Sequence, residues 1–130
     1  QSYAPVAPTW AVNIRSVALR IPAGNVKARR IEHRPSGVDA NPYLVATTVL
    51  AGIRHGLANR LDPGPETTGN GSSLPTDWRS AIEAAKSSSF LKKALGEDLH
   101  RTFTAIKEAE YFRVARTISN VDYDLYLNEV

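Results

Sequence analysis

Apolar and polar residues alternate along Ile14–Ile21 (IRSVALRI), with Ile14, Ser16, Ala18 and Arg20 on one side and Arg15, Val17, Leu19 and Ile21 on the other. That two-residue period predicts a β-strand. Pro22–Asn25 reads as a turn, and Ala28–Arg34 as a second strand that puts Arg30, Glu32 and Arg34 on one face and Arg29, Ile31 and His33 on the other. The two strands suggest an antiparallel hairpin. Gln1–Pro8, with its two prolines, reads as extended chain or loop.

From Asn41 the period becomes helical. Asn41 is suited to an N-cap and Pro42 to the first helical position. Tyr43, Ala46, Leu50, Ile53, Leu57 and Leu61 then recur on one predicted inward stripe of a helix running to about Arg60. Asp62–Pro75, rich in Gly, Pro, Thr and Ser, is a loop. A second helix starts near Thr76 or Asp77 with Trp78, Ile82 and Ala85 inward, and Ser87–Ser89 interrupts it. Phe90, Leu91 and Leu95 form a short apolar turn that ends at Gly96, and Glu97–Arg116 is a long helix. Ser119 or Asn120 caps a last one that carries Tyr123, Tyr126 and Leu127. The expected class is α+β: an antiparallel strand pair followed by about four helices. A lone hairpin is marginal in water, so the pair is expected to belong to a larger sheet whose other strands come from elsewhere.

Composition narrows the class of protein. With 42% hydrophobic and 22% charged residues, the chain has the mix of a globular protein, and no run approaches the roughly 18 apolar residues of a membrane span. Cys is absent, which removes disulfides, thiolate zinc sites and Cys nucleophiles and is compatible with the cytoplasm. The chain begins at Gln1 and has no Met, so it is expected to be a segment of a longer reading frame. The net charge of +3 is unevenly placed: Arg15, Arg20, Lys27, Arg29, Arg30 and Arg34 face a single carboxylate, Glu32, over that stretch. Such a stripe calls for an anionic partner.

Alternate strand positions put Glu32 between Arg30 and Arg34. Guanidiniums clamp carboxylate or phosphate oxygens in a fixed fork, and a carboxylate among them is either ion-paired or ligates a hard cation such as Mg²⁺. Arg20 and Lys27 are placed to extend the same cationic face. Several cations with one metal-binding acid suit phosphoryl transfer, whereas the plainer reading is a solvated strand edge with ordinary salt bridges.

These residues also resemble a known family. NIRSVALRIP (Asn13–Pro22) is similar to the N-R-S-x-x-x-R-I-P segment of the glutamine synthetase family, with Ile14 where Asn is usual. KARRIEHR (Lys27–Arg34) is similar to its K-A-R-R-I-E-x-R block, and DANPYL (Asp39–Leu44) to the block that follows. The resemblance implies that the chain, residues 1–130, is the C-terminal segment of such a catalytic domain, with the N-terminal remainder absent. It implies Glu32 as one metal ligand, Arg15, Arg20, Lys27 and Arg30 as ATP-phosphate groups, and Arg15 and Arg34 as glutamate-binding groups. Arg34 would be catalytic, where the acyl phosphate forms. The remaining metal ligands of the family have no counterpart here. His33, His55 and His100 lack metal-ligand spacing and read as structural or surface residues.

The implied chemistry is an ATP-dependent ligation with Mg²⁺ or Mn²⁺ as cofactor. The glutamate γ-carboxylate takes the γ-phosphoryl group of ATP, and an amine then displaces phosphate from γ-glutamyl phosphate. Ammonia-using members carry a flap Glu shortly before the N-R-S segment. Counting back from Arg15 without gaps, Tyr3 takes that position, and a phenol, with a reference pKa near 10, does not replace a carboxylate at neutral pH. His33 and the YAPV opening with Trp10 also resemble the γ-glutamylpolyamine synthetase branch, so the expected second substrate is a polyamine or other alkylamine. The alternatives are ordinary glutamine synthesis from ammonia and an inactive fragment acting as a basic binding module. A nucleic-acid module is disfavoured because Trp10 is the only aromatic near the Arg-rich strands. Large homo-oligomeric rings are typical of the family, and a homo-oligomer is expected.

Overall fold

The structure is a computed structural model that describes residues 4–66 and 73–127. It divides into two compact units, Gln1–Thr76 and Asp77–Val130. The class is α+β, as the pattern predicts. The first unit holds a three-stranded sheet, β1 (Trp10–Val12), β2 (Leu19–Ile21) and β3 (Glu32–His33), in the order β1-β2-β3. It also holds a single turn of 3-10 helix at Val26–Ala28 and helix α1 (Pro42–Ala58). The second unit is helical, with α2 (Trp78–Ser87), α3 (Ser89–Leu95), α4 (Glu97–Ala115) and α5 (Asn120–Tyr126).

The antiparallel pair is present, with Leu19 opposite His33 and Arg20 opposite Glu32. Both strands are shorter than the alternation predicts. Val17 and Ala18 are both buried, at 0% and 5% exposure, so neighbouring residues enter the core and the pleat is broken by bends through Arg15–Ala18. In the other strand, the 3-10 turn at Val26–Ala28 consumes the start of Ala28–Arg34 and leaves Glu32–His33 paired. The third strand, β1, is absent from the sequence reading. It pairs parallel to β2, with Trp10 opposite Leu19 and Val12 opposite Ile21, and three residues show no period to detect.

The helices follow their local signals. Asn41 Oδ1 accepts from the N–H groups of Tyr43 and Leu44, and Pro42 opens α1. Asp77 caps α2 by accepting from Ser80 N–H at 2.8 Å. Ser88 is the expected interruption: it ends α2, and its hydroxyl accepts from Leu91 N–H to start α3. Gly96 joins α3 to α4 at φ 82°, a conformation that side-chain-bearing residues rarely hold. Ser119 and Asp122 form a reciprocal capping box on α5.

The α1 stripe departs from expectation. Tyr43, Leu50, Ile53, Leu57 and Leu61 are exposed, and α1 buries no residue fully. Leu44, Val45, Thr48 and Val49 are half-buried instead. The stripe has helical spacing but nothing among the described residues of its unit covers it.

In the second unit, α2 packs on α4 around Ile82, and the rings of Trp78 and Tyr111 meet edge to face at 5.9 Å. His100, buried on α4, donates Nε2–H to the Ala85 carbonyl at the end of α2, 2.8 Å away. Because a carbonyl only accepts, the proton lies on Nε2. The same carbonyl, in the last turn of α2, also accepts the cap N–H of Ser88 at 3.3 Å, so His100 is its second donor. His100→Leu in the complete protein is expected to lower stability by about 0.5–1.5 kcal/mol, the net contribution of one hydrogen bond, because the Ala85 carbonyl keeps the Ser88 N–H. Chemical denaturation checks it, and an unchanged midpoint would remove the bond from the packing account.

Candidate functional site: a carboxylate between two guanidiniums

The cross-strand register fixes the site. Arg20 on the central strand lies directly opposite Glu32 on β3 and next to Ala11 on β1. Arg20 Nη1 donates to Glu32 Oε2 at 2.9 Å, and Arg30 Nη2 donates to Glu32 Oε1 at 3.1 Å. Each carboxylate oxygen thus meets a different guanidinium. Arg30 reaches Glu32 because residues two apart on extended chain share a face. Arg20 is the more buried arginine, with a side chain 17% exposed against 59% for Arg30. Its second amine nitrogen, Nη2, donates to Asn13 Oδ1 at 2.8 Å.

The Arg20 hydrogen bond holds the Glu32 carboxyl below its ordinary value of 4.5, aided by the positive charges of Arg20 and Arg30 and opposed by partial burial. The group is therefore a carboxylate throughout the neutral range. Asn13 has no role in the sequence reading; its signal is a non-glycine residue in the left-handed region, which sequence does not reveal.

Arg15 is exposed in the bends before β2, and Lys27 is exposed on the 3-10 turn. Among the described residues neither makes an ion pair with Glu32. Arg34 is half-buried just past β3, where its N–H extends the ladder to the Ala18 carbonyl at 2.9 Å. His33 Nδ1 lies 3.3 Å from Ser36 Oγ, His55 lies beside Asn59, and His100 bonds the Ala85 carbonyl of α2. Tyr3 lies outside the described residues. Trp10 spends its indole N–H on the Gly64 carbonyl at 3.2 Å, and Glu66 Oε1 accepts from Val12 N–H at 2.8 Å. The loop after α1 is thus fastened to the outer edge of β1.

A divalent cation fits this cluster only in part. Glu32 is its one acid, both of its oxygens are occupied by guanidiniums, and no group of three or more potential ligands occurs among the described residues. The arginines, by contrast, are donor forks suited to phosphate or carboxylate oxygens.

Residues 1–126 match the family described as glutamine synthetase, catalytic domain. The chain belongs to the glutamine synthetase family. It is 38% identical to the γ-glutamylputrescine synthetase PuuA of Escherichia coli K12 over 96% of its length, which covers 28% of that protein. It is 33% identical to a glutamine synthetase of Methanosarcina mazei, with 96% of the chain and 31% of the relative aligned. A γ-glutamylethanolamide synthetase, GlnA4 of Streptomyces coelicolor, is 34% identical over 89% of the chain and 26% of its own length. The chain therefore spans roughly three-tenths of these relatives. Among the described residues no helix is long and apolar enough to cross a membrane.

In this member of the glutamine synthetase family, the depressed Glu32 carboxyl sets a pH window. A group whose folded-state value is lowered contributes stability above its ordinary value and loses it as pH falls through the lowered one. The Glu32 ¹³C-carboxyl signal is expected to titrate below 4.5 and to move up towards that value in Arg20→Ala. An unshifted midpoint in the unmodified protein would show that the guanidinium contact does not persist in solution.

Proposed function

We propose that this chain is the C-terminal segment of a glutamine-synthetase-type catalytic domain. The enzyme joins the γ-carboxylate of glutamate to an alkylamine, with ATP and Mg²⁺ or Mn²⁺. The observation that carries this reading is the cluster of Arg20, Glu32 and Arg30 in a chain matched to that catalytic domain over residues 1–126. Arg15, Arg20, Lys27 and Arg30 hold ATP phosphates, and Arg15 and Arg34 hold glutamate. Arg34 faces the γ-carboxylate where the acyl phosphate forms. Glu32 offers one oxygen ligand to a metal site completed by residues outside the described cluster.

The work assigned to these side chains is electrostatic. Guanidiniums fixed in place before the reaction neutralise charge that grows on phosphoryl oxygens, with no reorganisation during the step. Glu32 keeps two of those guanidiniums close together against their mutual repulsion. A bound divalent cation adds Lewis-acid polarisation of the same oxygens.

The choice of an alkylamine over ammonia rests on Tyr3 at the position of the family's flap acid, and on the similarity to synthetases named for putrescine and ethanolamide products. A carboxylate draws ammonium into a site, whereas a neutral phenol does not. The further polypeptide that completes the enzyme, in this reading the N-terminal part of the same protein, covers the exposed apolar side of α1. The complete enzyme is a cytoplasmic homo-oligomer.

In the complete enzyme, Glu32→Gln is expected to cut ligase turnover at least about a hundredfold, because the amide neither ligates a cation well nor balances two arginines. A phosphate-release assay reads this, and near-native activity would dismiss the assignment of Glu32. Comparison of kcat/KM for ammonia, ethanolamine, putrescine and spermine tests the amine. An alkylamine should win, and Tyr3→Glu should raise the use of ammonia. Ammonia as the best substrate of the unmodified enzyme would restore ordinary glutamine synthesis.

A further inference from the structure

Asn13 is the first residue beyond β1, and its backbone is left-handed, with φ 59°. Its N–H donates to the Ile21 carbonyl at 2.9 Å, which carries the β1–β2 ladder past its last paired residues. The chain then returns to start β2 after residues 13–18 alone. Parallel neighbours usually need a connection of about a dozen residues or more, so this short return depends on a reversal at Asn13. Asparagine tolerates the left-handed region better than other side-chain-bearing residues, and glycine tolerates it best. The backbone alone would accept either.

The side chain does something the backbone does not require. Asn13 Oδ1 accepts from Arg20 Nη2 at 2.8 Å while Arg20 Nη1 donates to Glu32 at 2.9 Å. A guanidinium only donates, so the amide oxygen faces it. One Arg20 fork is thereby stretched between the end of β1 and the first residue of β3. Its Nε is buried and has no acceptor among the described residues, so these two contacts define its direction. The anchor is itself fixed from outside: Glu66 holds the N–H of Val12, the residue before Asn13.

We infer that Asn13 is a positioning residue that holds the Arg20 guanidinium off a two-pronged pairing with Glu32 and keeps it aimed at the anion the cluster receives. With the amide removed, Arg20 Nη2 has no acceptor on β1, and the favoured alternative is the bidentate fork on the Glu32 carboxylate. That fork turns the guanidinium inward. The inference rests on the reading of Arg20 as a nucleotide-phosphate group.

The test uses Asn13→Gly and Asn13→Asp in the complete enzyme, with Arg20→Lys as reference. Glycine keeps the left-handed turn and removes the acceptor; aspartate keeps both shape and acceptor. Asn13→Gly is expected to keep the melting temperature, raise the KM for ATP about five- to tenfold and leave the KM for glutamate unchanged. In its crystal structure Arg20 should turn onto both oxygens of Glu32, while in Asn13→Asp it should stay where it is. A native KM for ATP in Asn13→Gly, with Arg20→Lys impaired, overturns the inference and leaves Asn13 a backbone role only. If Arg20→Lys also keeps a native KM for ATP, the phosphate reading of Arg20 has failed. The crystal structure of Asn13→Gly then decides positioning: a turned Arg20 upholds it and an unmoved one overturns it.

Discussion

Glu32 stands between the guanidiniums of Arg20 and Arg30, one oxygen to each, and the arrangement of the first unit's sheet follows from that constraint. Two arginines on one face of a small sheet repel unless an anion lies between them. The register that puts Arg20 opposite Glu32 supplies that anion on the neighbouring strand. The register also places Leu19 opposite His33 and leads Arg34 N–H to Ala18, so the ladder and the charge cluster specify the same pairing. Exposed ion pairs contribute little to stability in general. This one matters through geometry, because it holds two cations at a fixed separation on one face of the sheet.

The apolar surface has a different distribution from that of a self-contained domain. The buried apolar residues described in the first unit are Ala7, Ala11, Val17 and Ala18, mostly small ones, and Ile82 is the one in the second. Meanwhile Tyr43, Leu50, Ile53 and Leu57 line α1 in the open, and Ile118, Val121, Tyr123 and Tyr126 are exposed at the far end of the second unit. An amphipathic helix draws most of its stability from the packing of its apolar stripe. Both stripes are uncovered among the described residues, and the chain spans about three-tenths of the relatives it matches.

Helix boundaries were legible in the sequence because their causes are local. Asn41 with Pro42, Asp77, Ser88, Gly96 and the Ser119–Asp122 box each satisfy or terminate backbone groups within a few residues of themselves. The strands were less legible because pairing is a non-local property. β1 has three residues and a parallel partner, so neither period nor turn announced it. The regular alternation of Ile14–Ile21 foretold a full strand, yet the burial of both Val17 and Ala18 broke it.

By itself the sequence determined the α+β class, the helix starts and stops, the kinship to glutamine synthetases, and the alternation that puts Arg30 and Glu32 on one face. Each of these is carried by neighbouring residues, where spacing and chemistry are written together. Only the tertiary structure decided that Arg20 lies across from Glu32, that Asn13 holds the other end of Arg20, and that Glu66 fastens the edge of β1. Those contacts join residues brought together by register and by one left-handed turn. Sheet pairing sets register through bonds between distant segments, which no local stretch of chain encodes.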